Sequence, residues 1–498
     1  MKAAGSRCRP ETETGSIMNY RTRTTCALIV LFAINALNFF DRQILGAVTE
    51  PVRKEWGLSD SAMGALGTAF TLLYAAVGLP LGRLTDRTKR TTILAVGVFV
   101  WSALTAASGL ARSYFHLFAL RLGVGVGEAT CAPAATSLIG DLYPADKRAR
   151  ALSVFMLGLP VGIALSYAVS GSVAHAYGWR AAFYVAGVPG LLCAVATLFL
   201  REPERGASEA HTIGSQKREG SPYRLVMSIP TMWWIIASGA LQTFNMYAIG
   251  SFIAPFLMRY HGMDIREAGF ASMVVFGLSG IPGLLLGGIV GDRVMKRRAN
   301  GRMLVATVSL FASAPLIYLA LGRGRGDALG FSILMGAGVA VMNVYYSTVY
   351  STIHDVIEPS LRGTAMSLYF FAMYVLGASL GPYGTGLASD LLTARAAIKA
   401  GVREATEQAM EPFRAEGLHA AMYIIPALAV LLTLVLYAAS RTVTSDMERL
   451  DRWMRAAGSG GRASGESREL AGRSIDHSKP APVNPVDSTT TTSIIAEP

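Results

Sequence analysis

Two charged residues in one strongly apolar stretch are the side chains of this sequence most able to do chemistry. Arg121 and Glu128 lie in the apolar run 114–139, which is long enough to cross a bilayer as a helix. Each costs about 3 kcal/mol at bilayer depth on insertion scales. Their seven-residue separation is about 700° of helical rotation, so the two side chains share one face. Such a stripe is typical of a water-filled cavity wall, or of an ion pair that locks helices together.

A second pair of charges, Asp41 and Arg42, lies near Asn38 in the first apolar run. Counting residues from the helix ends places Asp41 and Arg121 at one depth, roughly 10 Å below the outer surface, with Glu128 two turns deeper. We therefore expect Asp41 to pair with Arg121. Competition for Arg121 between the two carboxylates and an anionic substrate would couple protonation to binding. Arg42, about 100° around the helix from Asp41, either contacts the substrate from the side or snorkels outward. Asn38 is a lesser cavity candidate.

The second half of the chain offers amides and tyrosines in its apolar runs, where the first half offers charges. These are Gln242, Asn245, Tyr247, Asn343, Tyr345, Tyr346, Tyr369 and Tyr374. We predict that five of them contact the substrate: Gln242, Asn245, Asn343, Tyr346 and Tyr369. A cavity with one charged wall and one aromatic wall suits an amphiphile with an anionic head and an apolar tail, or an aromatic acid.

The composition is that of a membrane protein, with 52% hydrophobic and 16% charged residues, against about 25% charged in soluble chains. The net charge of +12 comes from basic clusters between apolar runs, a placement that orients membrane helices and does not indicate a nucleic-acid partner. The seven histidines are scattered and the four cysteines have no paired spacing. We therefore expect neither an enzyme nor a metal site, and no cofactor besides a proton gradient.

Twelve apolar runs, six on each side of a polar linker, predict an all-α membrane protein of twelve transmembrane helices in two pseudo-symmetric six-helix bundles. Basic loops after spans two, four and eight place both termini in the cytoplasm. The predicted segments are a flexible N-terminus 1–22, bundles 23–200 and 229–440, a linker 201–228, an external helical loop 391–416, an interfacial amphipathic helix 441–457 and a disordered tail 458–498.

Two loops of the first half are echoed in the second. Residues 82–90 recur at 288–297, and 141–153 recur at 355–367. These loops resemble the major facilitator superfamily, whose signature between spans two and three is Gly-x-Leu-Ala-Asp-Arg-x-Gly-Arg-Lys. The resemblance implies two halves that rock about a midplane site, latched by ion pairs at their cytoplasmic ends. The predicted gating residues are Asp86, Arg87, Arg90, Arg148, Asp292, Arg293 and Arg362.

A closer resemblance is carried by Asn38-Phe-Phe-Asp41-Arg42, by the run 121–129, by 141–153, by Pro160-Val-Gly162 and by Arg201-Glu-Pro-Glu-Arg-Gly206. They are similar to Spinster proteins, which move sphingolipids and lysophospholipids. The resemblance implies a bacterial-type, monomeric secondary transporter of an anionic lipid in the plasma (bacterial inner) membrane. From the competition for Arg121 we hypothesise that transport is proton-coupled and that Asp41 and Glu128 are the proton-coupling residues. The organic anion:cation symporters share parts of these motifs, so the alternative substrate is a small carboxylate or sugar acid.

Overall fold

The computed structural model describes four segments of the chain: 14–204, 221–358, 361–402 and 406–473, without the side chains of 14–21, 79, 86, 145, 146, 149, 407 and 456–473. Helices and their connections make up these segments, and no strand occurs in them. Eleven helices of the described chain are long and apolar enough to cross a membrane. A twelfth, Pro230–Tyr260, carries Gln242 and Asn245 in its middle. The predicted all-α architecture is confirmed.

The first half contains spans one to six, of which spans four and five are broken. Span four stops after Glu128 because Pro133 has no N–H for the carbonyl of Ala129, so a new helix begins just past the charged stripe. In chain order the helices are Thr14–Trp56, Asp60–Arg87, Arg90–Ser108, Tyr114–Glu128 with Cys131–Leu142, Ala145–Met156 with Gly158–Tyr177, and Trp179–Leu198.

The second half contains spans seven to twelve, and spans eight and eleven each include one π-helical turn. In chain order the helices are Pro230–Tyr260, then Ile265–Ser272 with the π-turn Met273–Leu278 and Gly280–Met295, then Gly301–Leu321, then Ala328–Met342 with Val344–Val356, then Arg362–Ala372 with the π-turn Met373–Ala378 and Leu380–Lys399, and finally Arg414–Met422 with Ile424–Arg473.

Several predicted segment ends differ from the observed ones. The last helix continues to Arg473, through the predicted interfacial helix and into residues assigned to a disordered tail, because no proline interrupts the chain between Pro426 and Pro480. The helix of span eleven runs on to Lys399, so the predicted external loop is partly an extension of that span. The predicted linker contains the short helix Pro222–Met227. Residues 1–13, 205–220 and 474–498 lie outside the described part of the chain.

Successive spans run in opposite directions, so their connections alternate between two ends of the bundle. We call the end with the connections at 88–89 and 296–300 the basic end, and the end with those at 57–59 and 261–264 the distal end. A distal turn can be very short: Gly178 alone joins spans five and six, with a φ of 81° that favours glycine.

The two halves meet along three helix pairs, formed by spans one and seven, two and eleven, and five and eight. Glycines allow the backbones to touch. A Cβ atom added at Gly46 would lie 2.4 Å from the carbonyl oxygen of Gly250, and one added at Gly64 would lie 2.3 Å from that of Pro382. Because these positions lie in the distal parts of their helices, the halves are closely packed at the distal end.

Candidate binding site and charged gates

The Asp41 carboxylate is enclosed by spans three and four. Its Oδ1 atom accepts a hydrogen bond from Arg121 Nη1 at 2.8 Å, and its Oδ2 atom accepts one from the Thr105 hydroxyl. Arg121 Nη2 also donates to the backbone carbonyl of Asp41 at 3.4 Å. Both side chains are buried. The pair expected from their common depth is therefore present, and both Asp41 oxygens have partners.

Arg42 points into the protein and pairs with Glu128. Arg42 Nε donates to Glu128 Oε2 at 2.8 Å, and the Arg42 side chain is only 5% exposed. Its guanidinium carbon lies 4.4 Å from the ring centroid of Tyr74 and 5.0 Å from that of Phe39. Inward orientation resolves the alternative that the sequence left open for Arg42. In this conformation each carboxylate has its own arginine. We expected Glu128 to compete with Asp41 for Arg121, and it does not.

Glu128 keeps one oxygen unused. Among the described residues, Glu128 Oε1 has no hydrogen-bond partner, although the side chain is fully buried. A buried acceptor without a partner is costly, and the cost is relieved by a proton, a water molecule or a donor on a ligand. Glu128 is thus the group of this site best placed to respond to an incoming molecule.

The second half reaches the charged pairs through Tyr374 of span eleven. The Tyr374 hydroxyl lies 3.4 Å from Arg42 Nη1, and its ring centroid lies 5.2 Å from that of Tyr74 in span two. The sequence singled out Tyr374 as a polar residue in an apolar run but did not select it for the site. Arg42 therefore contacts both halves of the molecule.

A tyrosine cluster forms the remainder of the second-half wall. The Tyr345 hydroxyl lies 2.9 Å from the hydroxyls of both Ser238 and Tyr369. The rings of Tyr346 and Tyr369 each pack edge-on against Tyr350, with centroids 5.7 Å apart. Because these hydroxyls hydrogen-bond to one another, the cluster offers ring surface more than polar groups. Tyr346 and Tyr369, both predicted site residues, lie in it.

The predicted amide residues are divided between helix contacts and unpartnered groups. Gln242 donates to a backbone carbonyl of span ten at 3.3 Å, and Asn343 donates to a carbonyl of its own span at 2.9 Å. Asn245 is buried with both side-chain polar atoms unpartnered in the described structure, as is the Nδ2 atom of Asn38. The Oε1 atom of Gln242 is likewise unpartnered in the described structure, so Asn245, Asn38 and Gln242 each keep an amide group available to a ligand.

A small cavity of about 40 Å³ lies on the distal side of the charged pairs. Arg42, Arg121, Thr71, Tyr247 and Ser251 are among its lining residues, so both halves contribute to it. The volume is large enough to hold water.

At the distal end, ion pairs join the two halves, and the sequence analysis missed them. Arg259 of span seven donates to Glu50 at 2.6 Å and to both oxygens of Asp60, at 2.8 and 2.9 Å. Arg53 pairs with Glu411 at 2.6 Å. Glu50, Arg53 and Asp60 belong to the first half, whereas Arg259 and Glu411 belong to the second.

Span eleven extends this contact. Asp390 accepts hydrogen bonds from the backbone N–H groups of Asp60 and Ser61, both at 2.9 Å, and lies 3.3 Å from Arg414. We call these residues the distal cluster: Glu50, Arg53, Asp60, Arg259, Asp390, Glu411 and Arg414. Its charged residues lie beside turns that the sequence predicts. Because charges beside turns are usually solvated, the sequence does not indicate that these join the two halves.

At the basic end, the described ion pairs of Arg90 and Arg302 do not join the two halves. Arg90 pairs with Asp141 of span four and, at 2.7 Å, with Glu202 at the start of the linker. Burial would raise the pKa of the Glu202 carboxyl, but hydrogen bonds from the Thr91 N–H and from Arg90 hold that pKa below its ordinary value. In the second half Arg302 joins Asp292, at 2.7 Å, to Asp355. The predicted gating residue Asp292 thus has a partner in its own half.

The other predicted gating residues occupy the same end. Arg362 donates to a backbone carbonyl of span ten at 3.1 Å, Arg87 and Arg293 are exposed, and Arg148 is half-buried. The Asp86 side chain lies outside the described part of the structure. No described ion pair of the predicted gating residues joins the two halves at the basic end in this conformation. The latch stays a prediction for a conformation in which that end is closed.

Comparison with known proteins gives consistent matches. Residues 31–382 match the family model of the Major Facilitator Superfamily. "Protein spinster homolog 1" of Mus musculus is 31% identical over 404 residues, covering 75% of this chain and 74% of the mouse protein. An "MFS-type efflux pump" of Mycolicibacterium smegmatis is 27% identical over 372 residues, covering 74% of this chain and 86% of that protein.

A solved structure is similar over most of both chains. It is a crystal structure of a bacterial homologue of the human lysosomal transporter Spinster, in an inward-facing and unoccupied conformation. It matches with a TM-score of 0.77 and 27% sequence identity, covering 85% of this chain and 98% of the other.

Proposed function

Because the chain belongs to the Spinster family of the major facilitator superfamily, we propose that it moves an amphiphilic anionic lipid across the membrane by alternating access, coupled to protons. Membership makes it a multi-pass membrane transporter and not an enzyme. The proposed substrate is a lysophospholipid or a sphingoid phosphate.

The observation that carries the proposal is the pairing of two buried arginines with two buried carboxylates, Arg42 with Glu128 and Arg121 with Asp41. The four charges sum to zero. An anionic headgroup that binds the arginines adds at least one negative charge to a site from which water is largely excluded. A proton taken up by Glu128 or Asp41 restores the balance, and this exchange is the proposed coupling step.

The second-half wall supports the lipid part of the proposal. Tyr346 and Tyr350 are partly exposed and present ring surface beside Tyr374, which contacts Arg42, whereas Tyr345 and Tyr369 are fully buried and pack against them. A headgroup at Arg42 would therefore place an acyl or sphingoid tail against aromatic rings. A small sugar acid has no apolar tail for these rings to contact.

The conformation proposed for this structure is inward-facing. The positive-inside rule assigns the basic end, and with it both termini, to the cytoplasm of a plasma (bacterial inner) membrane. The distal cluster then holds the outer ends of the halves together. The TM-score of 0.77 to an inward-facing transporter supports this assignment.

Purified protein in liposomes tests the substrate. We expect lysophospholipid and sphingoid phosphate to be taken up faster with a pH gradient than without one, and sugar acid not to be taken up. Protein-free liposomes give the background for each compound. Uptake of sugar acid alone would overturn the lipid assignment.

Replacing Asp41 with asparagine tests the coupling. Asp41→Asn cannot exchange a proton, so we expect lipid uptake to lose its response to the pH gradient and to fall roughly tenfold or more. The matched control is Glu55→Gln, which removes a carboxylate that pairs with Arg180 at 2.7 Å outside the site and should keep the response. Wild-type uptake by Asp41→Asn under the gradient would disprove a coupling role for Asp41.

A further inference from the structure

Spans eight and eleven contain one sequence motif twice, 100 residues apart. In each copy the π-turn starts at the methionine and is followed directly by the serine. The copies are Met273-x-Val275-x-Gly277-x-Ser279-x-x-Pro282 and Met373-x-Val375-x-Gly377-x-Ser379-x-x-Pro382. The proline accounts for the wide turn, because its ring crowds the carbonyl four residues back, and that carbonyl belongs to the last residue of the π-turn.

A serine hydroxyl fastens each wide turn. The Ser379 N–H donates to the carbonyl of Tyr374, five residues back, at 3.0 Å, and so leaves its α-helical acceptor, the carbonyl of Val375. The Ser379 hydroxyl donates to that carbonyl in its place. In span eight the Ser279 hydroxyl makes the same bond to the carbonyl of Val275 at 2.6 Å. Each hydroxyl therefore compensates for the hydrogen bond that the π-turn gives up.

The π-turn decides which way Tyr374 points. In an α-helix, residues five apart lie about 140° from each other around the axis, so Tyr374 and Ser379 would face different neighbours. The wider π-turn, with its hydrogen bond over five residues, takes more residues for each turn and so brings the two closer to one face. In the structure both face the first half: the Ser379 carbonyl accepts a hydrogen bond from Thr68, and the Tyr374 hydroxyl lies 3.4 Å from Arg42 Nη1.

We propose that Ser379 is a positioning residue of the substrate site, whose hydroxyl stabilises the π-turn that holds Tyr374 against Arg42. The expected change in lipid affinity rests on the proposed function. The role of Ser379 in holding Tyr374 against Arg42 does not, because it concerns only the geometry of one helix. The π-turn of span eight serves a different contact, since Phe276 packs edge-on against Tyr167 with ring centroids 6.1 Å apart.

The test compares four variants in the full-length protein: Ser379→Ala, Ser379→Thr, Tyr374→Phe and Ser279→Ala. We expect Ser379→Ala to weaken the binding of lysophosphatidic acid roughly tenfold, the effect of one hydrogen bond to a charged group, with the KM for uptake raised and kcat little changed. Ser379→Thr keeps the hydroxyl and should bind as wild type does. Added to Tyr374→Phe, Ser379→Ala should cause no further loss.

Ser279→Ala is the matched control, because it removes the same hydroxyl from the same motif without touching Arg42. Equal weakening by Ser279→Ala and Ser379→Ala would overturn the proposal, since it would indicate general helix destabilisation. A readout that needs no lipid is the structure of Ser379→Ala, in which we expect the contact between Arg42 and Tyr374 to be lost. If wild type binds neither lysophosphatidic acid nor a sphingoid phosphate, the proposed function fails while this structural readout still decides the role of Ser379. An unchanged contact would overturn that role.

Discussion

Replacing Arg42 with alanine should reduce lipid uptake at least about a hundredfold. Arg42 binds Glu128 at 2.8 Å, contacts Tyr374 of the other half and lies against the rings of Tyr74 and Phe39. We expect Arg42 to pair with the anionic headgroup, and truncating one partner of such a desolvated, hydrogen-bonded charge pair costs about 4 kcal/mol in binding. A loss of that size in substrate binding exceeds a hundredfold in affinity. Uptake by liposomes and binding in detergent measure it directly.

Two further variants separate a binding defect from a folding defect. Arg42→Ala alone leaves Glu128 buried without a cation, so we expect a lower melting temperature as well as lost uptake. In the double variant Arg42→Ala/Glu128→Gln the uncompensated charge is gone, and we expect the melting temperature to recover while uptake does not. Arg42→Lys keeps the charge but loses the planar group between the rings, and should retain a fraction of the activity. Recovery of uptake in the double variant would show that Arg42 is structural.

Replacing Arg259 with alanine should shift the protein away from the conformation described above. Arg259 neutralises both Glu50 and Asp60 across the boundary between the halves. In Arg259→Ala, the carboxylates of Glu50 and Asp60 lack their main cation but stay buried while the distal end is closed. When the distal end opens, water can hydrate them. Because conformational states differ by only a few kcal/mol, a cost of about 3–5 kcal/mol makes the open distal end the major state.

Distances between spin labels on the distal ends of spans two and eleven measure this shift, and we expect the longer distance to predominate in Arg259→Ala. Arg302→Ala is the matched control. Arg302 also joins two carboxylates, Asp292 and Asp355, but both lie in its own half, so the distal distance should stay as in wild type. An unchanged distance distribution in Arg259→Ala would show that Arg259 is not needed and that the glycine contacts and the other contacts of the distal cluster keep the distal end closed.

The sequence predicted the number of spans, their division into two halves and the pairing of Asp41 with Arg121. Each follows from hydropathy or from counting residues along one helix, which are local properties. The partner of Glu128 could not be predicted, because the rotation of span one relative to span four is set by packing between helices. Depth estimated from residue counts made Arg121 the cation nearest to Glu128, whereas in the structure Glu128 pairs with Arg42.

Two further features were hidden for different physical reasons. The distal cluster consists of charges next to turns, and the sequence does not distinguish a charge in water from one that reaches across to another helix. The contact of Tyr374 depends on the π-turn Met373–Ala378, whose extra residue changes the phase of span eleven. At a uniform 3.6 residues per turn Tyr374 would lie on another face of the helix relative to Ser379.

The small cavity beside Arg42 and Arg121 has a consequence for the efficiency of energy conversion. Space of about 40 Å³ can hold water, and a water file that connected it to the carboxylates and to the closed side would let protons cross without substrate. Two guanidinium groups border that space whereas their paired carboxylates do not, so the charges nearest to a water molecule there are positive and disfavour hydronium, as an arginine does in water-selective pores. In a carrier driven by protons, the arginines proposed to bind the substrate thereby also reduce uncoupled proton leak.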